Sequence, residues 1–297
     1  MSRVRIDPPG GIHHVMNRGV NRNTVFFDDA ARLEFGAQLR SIHERFGVDV
    51  LAYCLMGNHY HLLLRTEPST ISPAMQHLAS RFTRNTNERL GRDGPLFRGR
   101  FHAIPVTTDE YLLAASRYIH RNPLDIAGLR SIEQYRWSSY RAYLQLRRPA
   151  PFLDTTVLGE MVGGPEAMRE FHRSPDLVDL VHGGDDPVRT LTHIIDLAIG
   201  VVALDLDDQP LTARLDQTVI HLLDEVPGID RYLLGELRGS DRSANALALA
   251  KRRAHQRRAH DPIVDRVLSF IADHLAPSDD VRHQPTGRRT FPPGLVG

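Results

Sequence analysis

The stretch Asn58-His59-Tyr60-His61-Leu62-Leu63-Leu64 decides how this chain is read. It follows a Gly57-Asn58 turn and another run of strand formers, Val48 to Met56, so the pair predicts a β-hairpin with antiparallel strands. Successive side chains of a strand point to opposite faces. His59 and His61 therefore project from one face, as two ligands of a single cation would, and Tyr60 from the other. With 16 histidines in the chain, chance alone supplies about one His-x-His pair, so this one gains meaning only from its surroundings.

Upstream, Ile12 to Arg18 reads as a first strand, ended by Gly19 and Asn21. Asp28 and Asp29 then open a helix of about 18 residues, with Leu33, Phe35, Leu39 and Ile42 at helical spacing and Gly47 as its stop. Downstream, Ser69 to Leu90 reads as a helix burying Met75, Leu78 and Phe82. Leu96 to Phe101 interleaves Arg98 and Arg100 with Phe97 and Phe101, a mix that suits phosphate gripping and base stacking but equally a strand edge with core phenylalanines. A short strand, His102 to Val106, follows. Thr107 or Thr108 caps the next helix, and Pro123 ends it. Tyr118 and Asn122 fall one turn apart in its last turns, so a phenol and a carboxamide face one point.

The 297 residues, 41% hydrophobic and 25% charged, give room for one large or two ordinary soluble domains. A single cysteine, Cys54, excludes an internal disulfide and a cysteine zinc cluster. No apolar run approaches the roughly 20 residues that span a bilayer, and no signal-peptide core follows Met1-Ser2-Arg3-Val4-Arg5, so a cytoplasmic protein is expected. The net charge of +1 hides a division: residues 1–148 hold 21 arginines and no lysine against 13 acidic residues, while the remainder holds 16 basic against 23 acidic. That asymmetry points to a polyanion partner for the first part, because the planar guanidinium donates two hydrogen bonds to a phosphate at once.

Two neutral imidazoles and a carboxamide oxygen, His59, His61 and Asn122, supply three ligands for a divalent cation and leave positions open for phosphate oxygens. Open geometry favours Mg²⁺ or Mn²⁺ over structural Zn²⁺. Tyr118 supplies a nucleophile one turn away, and a phenol of pKa near 10 needs a polarised electrophile to react at neutral pH.

Five separated motifs also stand in the order found in a known family: His13-His14-Val15-Met16-Asn17-Arg18-Gly19, Ala52 to Leu63, Leu96 to Phe101, Arg117-Tyr118-Ile119-His120-Arg121-Asn122-Pro123, and Trp137-Ser138-Ser139-Tyr140. Through them residues 11–145 resemble the HUH single-tyrosine transposases, in particular the REP-associated tyrosine transposases with their IS200-like domain. The resemblance implies an α+β fold with an RRM/ferredoxin-like antiparallel sheet, the HUH nuclease fold. It further implies cleavage of single-stranded DNA beside a hairpin through a 5′-phosphotyrosine, with His59 and His61 as metal ligands and Tyr118 as nucleophile. Asn122 falls where other branches place a glutamine as third ligand. Arg18, Arg98, Arg100 and Arg121 are the expected DNA contacts, and Tyr111 is the rival nucleophile on the same helical face. A non-cleaving regulator at palindromic repeats and a phosphodiesterase using water are the competing readings.

Domain boundaries are expected at 1–148 for the nuclease and 149–188 for a linker with short helices. Residues 189–275 should form a mainly helical domain, and 276–297 a disordered, Pro- and Arg-rich tail. Within the helical part, Ile229 to Leu237, a turn at Arg238-Gly239-Ser240 and a basic helix from Arg242 to Arg258 outline a helix-turn-helix, or else a solvated basic helix in an accessory domain. This part loosely resembles the helical C-terminal domain of replication initiators, in which Arg242, Arg252 and Arg253 would touch duplex DNA. The expected partners are hairpin DNA, duplex DNA and, at most, a second copy of the chain. The expected location is the nucleoid.

Overall fold

The computed structural model describes residues 10–126, 128–173, 187–204, 215–226, 231–238, 244–259 and 261–275. Compact packing divides the chain into one unit of residues 1–107 with 115–173 and another of 108–114 with 174–297.

The first unit begins in the order β1 (Gly11–Arg18), α1 (Asp29–Phe46), β2 (Asp49–Leu55), β3 (His59–Thr66), α2 (Ile71–Leu90) and β4 (His102–Val106). The sheet order is β2-β3-β1-β4 and every pair is antiparallel. This is the ferredoxin-like arrangement that the resemblance implied. Local signals set the ends of α1: the Asp28 side chain accepts from the Ala31 N–H at 2.8 Å, and Gly47 closes the helix in the left-handed region at φ 63°.

Register sorts the side chains. His14 lies opposite Leu63, Met16 opposite His61 and Arg18 opposite His59, so these share one face. Val15, Tyr60, Leu62 and Leu64 share the other, where they join Phe35 and Leu39 of α1 and Leu78 and Phe82 of α2 in the core. Tyr60 thus points away from the two histidines that flank it. Phe97 also belongs to this core, its ring 5.7 Å from Tyr60 and 6.1 Å from Phe82. Of the two readings left open for it, the core phenylalanine holds, because the ring is buried against those two.

Beyond β4 come α3 (Asp109–Arg121), α4 (Tyr140–Tyr143), α5 (Thr156–Val162) and α6 (Pro165–Arg173). Residues 137–139 lie along the outer edge of β2, with Leu55 N–H donating to Trp137 O and Ser139 N–H to Tyr53 O, each at 3.0 Å. The stretch expected to begin a linker buries Phe152 and Leu153 in the core.

The second unit holds α7 (Pro187–Leu204), α8 (Leu215–Leu222), α9 (Arg231–Arg238), α10 (Ala244–Arg258) and α11 (Pro262–Leu275). Leu191, Ile194, Leu197, Val219, Leu222, Val267 and Ile271 are fully buried, with α10 packed on α8 and α11 on α7. Arg242, the Gly239-Ser240 turn and the tail lie outside the described residues. No described helix is long and apolar enough to cross a membrane.

One loop fixes where β3 starts. Gly19 N–H donates to Asn58 O at 2.8 Å, and the N–H groups of Val25 and Phe26 both donate to Gly57 O at 3.0 Å. A Cβ on Gly19 would stand 2.2 Å from Asn23 O, so this approach requires glycine. Gly19→Ala should therefore cost about 1–3 kcal/mol in urea unfolding, as over-packing does. Gly36→Ala, at a mid-helix site of α1 with open space around it, should instead stabilise by about 0.5–1 kcal/mol. Equal effects of the two would refute this account of Gly19.

Candidate active site

Strand β3 brings the two histidines to one face, and their rings stand 5.2 Å apart and nearly perpendicular. The last turns of α3 bring Tyr118 to the same place, with its ring 5.2 Å from that of His61 and 6.1 Å from that of His14. Tyr118 is only 8% exposed. Asn122, one turn on, connects the two elements: its Oδ1 lies 3.1 Å from His59 Nε2, and its Nδ2 donates to the Tyr118 hydroxyl oxygen at 3.1 Å.

The hydrogen bonds assign the protons of His59. Asn58 Nδ2 donates to Arg22 O at 3.2 Å, which turns Asn58 Oδ1 toward His59 Nδ1 at 2.8 Å. Nδ1 must then carry the hydrogen, and a neutral His59 presents Nε2 as a lone pair. Asn122 Oδ1 faces that lone pair with lone pairs of its own, since its amide nitrogen is the donor to Tyr118. Two acceptors 3.1 Å apart repel unless a cation or a proton stands between or beside them. A divalent cation held by both atoms would satisfy the pair, as would a hydrogen on Nε2.

His61 is buried and bonded through Nδ1 to His14 Nε2 at 3.1 Å. Burial, together with the neighbouring His59 and His14, holds His61 well below the ordinary imidazole range, and burial alone pushes His14 down to about 3. Both rings are therefore neutral at physiological pH, the form in which imidazole binds metals. Among the described residues no group of three or more His, Cys, Asp or Glu side chains is arranged to hold a metal. A cation here would take two imidazoles and the Asn122 carboxamide oxygen.

The other expected residues are placed as follows. Arg18 is 3% exposed at the end of β1, opposite His59 in register. Arg98 N–H donates to Arg18 O at 2.9 Å, and Arg100 is exposed two residues on. Arg121 directs one guanidinium nitrogen to His172 O at 2.5 Å. In the second unit Arg252 and Arg253 are exposed on α10. Tyr111 is fully buried, and burial with the nearby Asp196 raises its pKa well above 10, which makes it a poor nucleophile. Reasoning from sequence missed the roles of His14 and Asn58. The signal for His14 was present, since it is the diagonal neighbour of His61 once β1 and β3 are paired.

Residues 11–122 match the family model described as transposase, IS200 like. Over these residues the chain is similar to the IS200-like transposases. The match ends at Asn122, so the matched stretch contains both histidines, the tyrosine and the carboxamide. Among solved structures, the chain is similar to one described as a REP-associated tyrosine transposase bound to a REP hairpin. The identity is 15%, the match covers 52% of this chain and 94% of that one, and the TM-score is 0.43. No curated protein matches the chain.

The buried histidines of the first unit make its stability depend on pH. An imidazole with a depressed folded pKa leaves the unfolded state binding more protons below about pH 6.5, so its contribution is complete above that value and is lost as pH falls toward the folded pKa. For His14 the window runs from about 6.5 to about 3. Urea melts should show stability falling below pH 6.5, each such histidine steepening the slope toward about 1.4 kcal/mol per pH unit. A flat profile between pH 7.5 and 5 would contradict neutral, buried rings.

Proposed function

We propose that this protein is a metal-dependent single-stranded DNA endonuclease and strand transferase acting beside DNA hairpins, with Tyr118 as nucleophile. The observation that carries the reading is the double engagement of Asn122, whose oxygen meets His59 while its nitrogen donates to the Tyr118 hydroxyl. His59, His61 and Asn122 would hold Mg²⁺ or Mn²⁺. When bound, the cation would act as a Lewis acid on the scissile phosphate.

The remaining chemistry belongs to side chains of this chain. Tyr118 gives up its phenolic proton to water as its oxygen forms a bond to phosphorus. The 3′ oxygen leaves and takes a proton from water, which yields a 5′-phosphotyrosine and a free 3′-OH. Attack by a 3′-OH on the same phosphorus reverses the step and rejoins strands. Asn122 Nδ2 steadies the phenolic oxygen as negative charge gathers there. Arg98 and Arg100, on the segment beside β1, would bind phosphates, with Arg18 and Arg121 set deeper. Only an unpaired strand lets a phosphate reach a tyrosine this buried, which favours a single-stranded flank over a duplex. In the second unit, α10 would add duplex contacts through Arg252 and Arg253, chiefly to phosphates.

The test is incubation with 5′-tailed hairpin DNA and Mn²⁺, followed by denaturing gels. Wild type should form a covalent adduct. Tyr118→Phe should form none, and Asn122→Ala should slow adduct formation about 100-fold. EDTA should abolish it. Cleavage that survives Tyr118→Phe would replace the tyrosine by water, and binding without any cleavage would leave a DNA-binding regulator.

A further inference from the structure

The face of α3 turned away from Tyr118 and Asn122 carries His120, two residues from each and therefore roughly half a turn round the helix. His120 is fully buried and both of its ring nitrogens are engaged. Nε2 lies 2.7 Å from Ser139 Oγ, and Nδ1 lies 2.9 Å from His172 Nε2. His172 Nδ1 in turn lies 2.9 Å from Met168 O. At the other end Tyr53 N–H donates to Ser139 Oγ at 2.9 Å.

The two ends of this chain of bonds fix every proton in it. A backbone carbonyl only accepts, so His172 Nδ1 carries a hydrogen and His172 Nε2 is a lone pair. His120 Nδ1 must then donate to it, which leaves His120 Nε2 to accept the Ser139 hydroxyl hydrogen. That hydroxyl has a second acceptor in reach, Tyr53 O at 3.3 Å, but Tyr53 O already receives the Ser139 N–H at 3.0 Å and the His120 bond is shorter. The result is one directed run of four hydrogen bonds from the β2 backbone to the α6 backbone, with no buried group left over.

Two more contacts join α6 to the same stretch of α3. Arg121 donates to His172 O at the C-terminal end of α6, where a cation is favoured, and the Arg117 guanidinium stands 5.0 Å from the centre of the Phe171 ring. Residues 117, 120 and 121 form one helical stripe, so α6 grips α3 along a line. The sheet end of the run is equally fixed: Tyr53 adjoins Cys54, which pairs with His61 in register. The run thus ties the helix of Tyr118 and Asn122 to the strand pair that carries His59 and His61.

We propose that Ser139 and His172, acting through His120, are positioning residues that set α3 against the sheet for the Tyr118 reaction. On this view α6, which lies beyond the matched transposase residues, is part of the catalytic unit. The proposal rests on the reading of Tyr118 as nucleophile. A side chain that acts this way should change the rate of bond formation far more than DNA affinity, and a substitute that keeps both hydrogen bonds should restore the rate.

The experiment compares His172→Leu with His172→Gln in the full chain. A glutamine can accept from His120 Nδ1 and donate to Met168 O, whereas leucine can do neither. Adduct formation in single turnover should fall at least about tenfold in the leucine variant and recover to within about threefold in the glutamine variant. The Kd for hairpin DNA should move less than about twofold in both. Amide hydrogen exchange across residues 117–122 should quicken with leucine and return with glutamine. If His172→Leu does not fold, Ser139→Ala cuts the run at its other end and takes its place.

Unchanged adduct rate and unchanged exchange in a folded variant would overturn the proposal. So would a loss of rate that follows DNA affinity, or one that glutamine leaves uncorrected. Absence of any adduct in wild type would instead overturn the reading of Tyr118, and the exchange measurement alone would then decide whether α6 holds α3.

Discussion

The antiparallel register of β1 on β3 is the constraint on which the site depends. Met16 faces His61 across the ladder and Arg18 faces His59. Because strand side chains alternate with period two, a slip of one residue would turn both histidines into the space that Phe35 and Phe82 fill and expose Tyr60, Leu62 and Leu64. Those apolar residues are completely buried, so the slip would forfeit a core's worth of hydrophobic burial and leave imidazoles without partners. The pattern that folds the domain therefore also presents the two histidines. The Gly19 loop adds a second lock, since it grips Gly57 and Asn58 and so sets the residue at which β3 begins.

This division of labour explains how much could be read in the sequence. Features governed by near neighbours were legible: the His59 and His61 alternation, the Asp28 cap and Gly47 stop of α1, the short strand His102 to Val106, and the one-turn spacing of Tyr118 and Asn122. Features that join distant segments were not. His14 reaches His61 across 47 positions and Asn58 reaches Arg22 across 36, and neither spacing is a motif. Phe97 shows the same limit from the other side. An arginine-aromatic run has one composition whether its rings meet bases or a core, and only Tyr60 and Phe82 decide between them.

The choice of asparagine at position 122 follows from what it must do at once. One end of its side chain faces a lone pair on His59 and the other donates to the Tyr118 oxygen. An aspartate would set a second acceptor and a negative charge against the Tyr118 oxygen. A carboxamide alone presents an acceptor and a donor at a fixed angle. Glutamine has the same head group on a longer stem, so the shorter residue demands a closer helix. That places a tighter requirement on where α3 sits, and the buried His120 on its other side lies where such a requirement would be met.

Formal charge describes the two halves of the chain poorly until ion pairs are assigned. In the first unit Arg65 is shared between Asp49 and Asp154 at 2.7 and 2.8 Å, Arg89 meets Asp28 at 2.6 Å, and Arg136 meets Asp29 at 3.0 Å, so part of the arginine excess holds the fold together. In the acidic second half the same accounting works in reverse. Lys251 and Arg258 of α10 lie about two turns apart along a single side of the helix, where Asp224, Glu225 and Asp265 pair with them. The acidic residues thus neutralise the inward side of a basic helix, while Arg252 and Arg253 remain exposed. A segment of negative net charge can in this way present a positive surface, because what a polyanion meets is the charge left unpaired on the face it approaches.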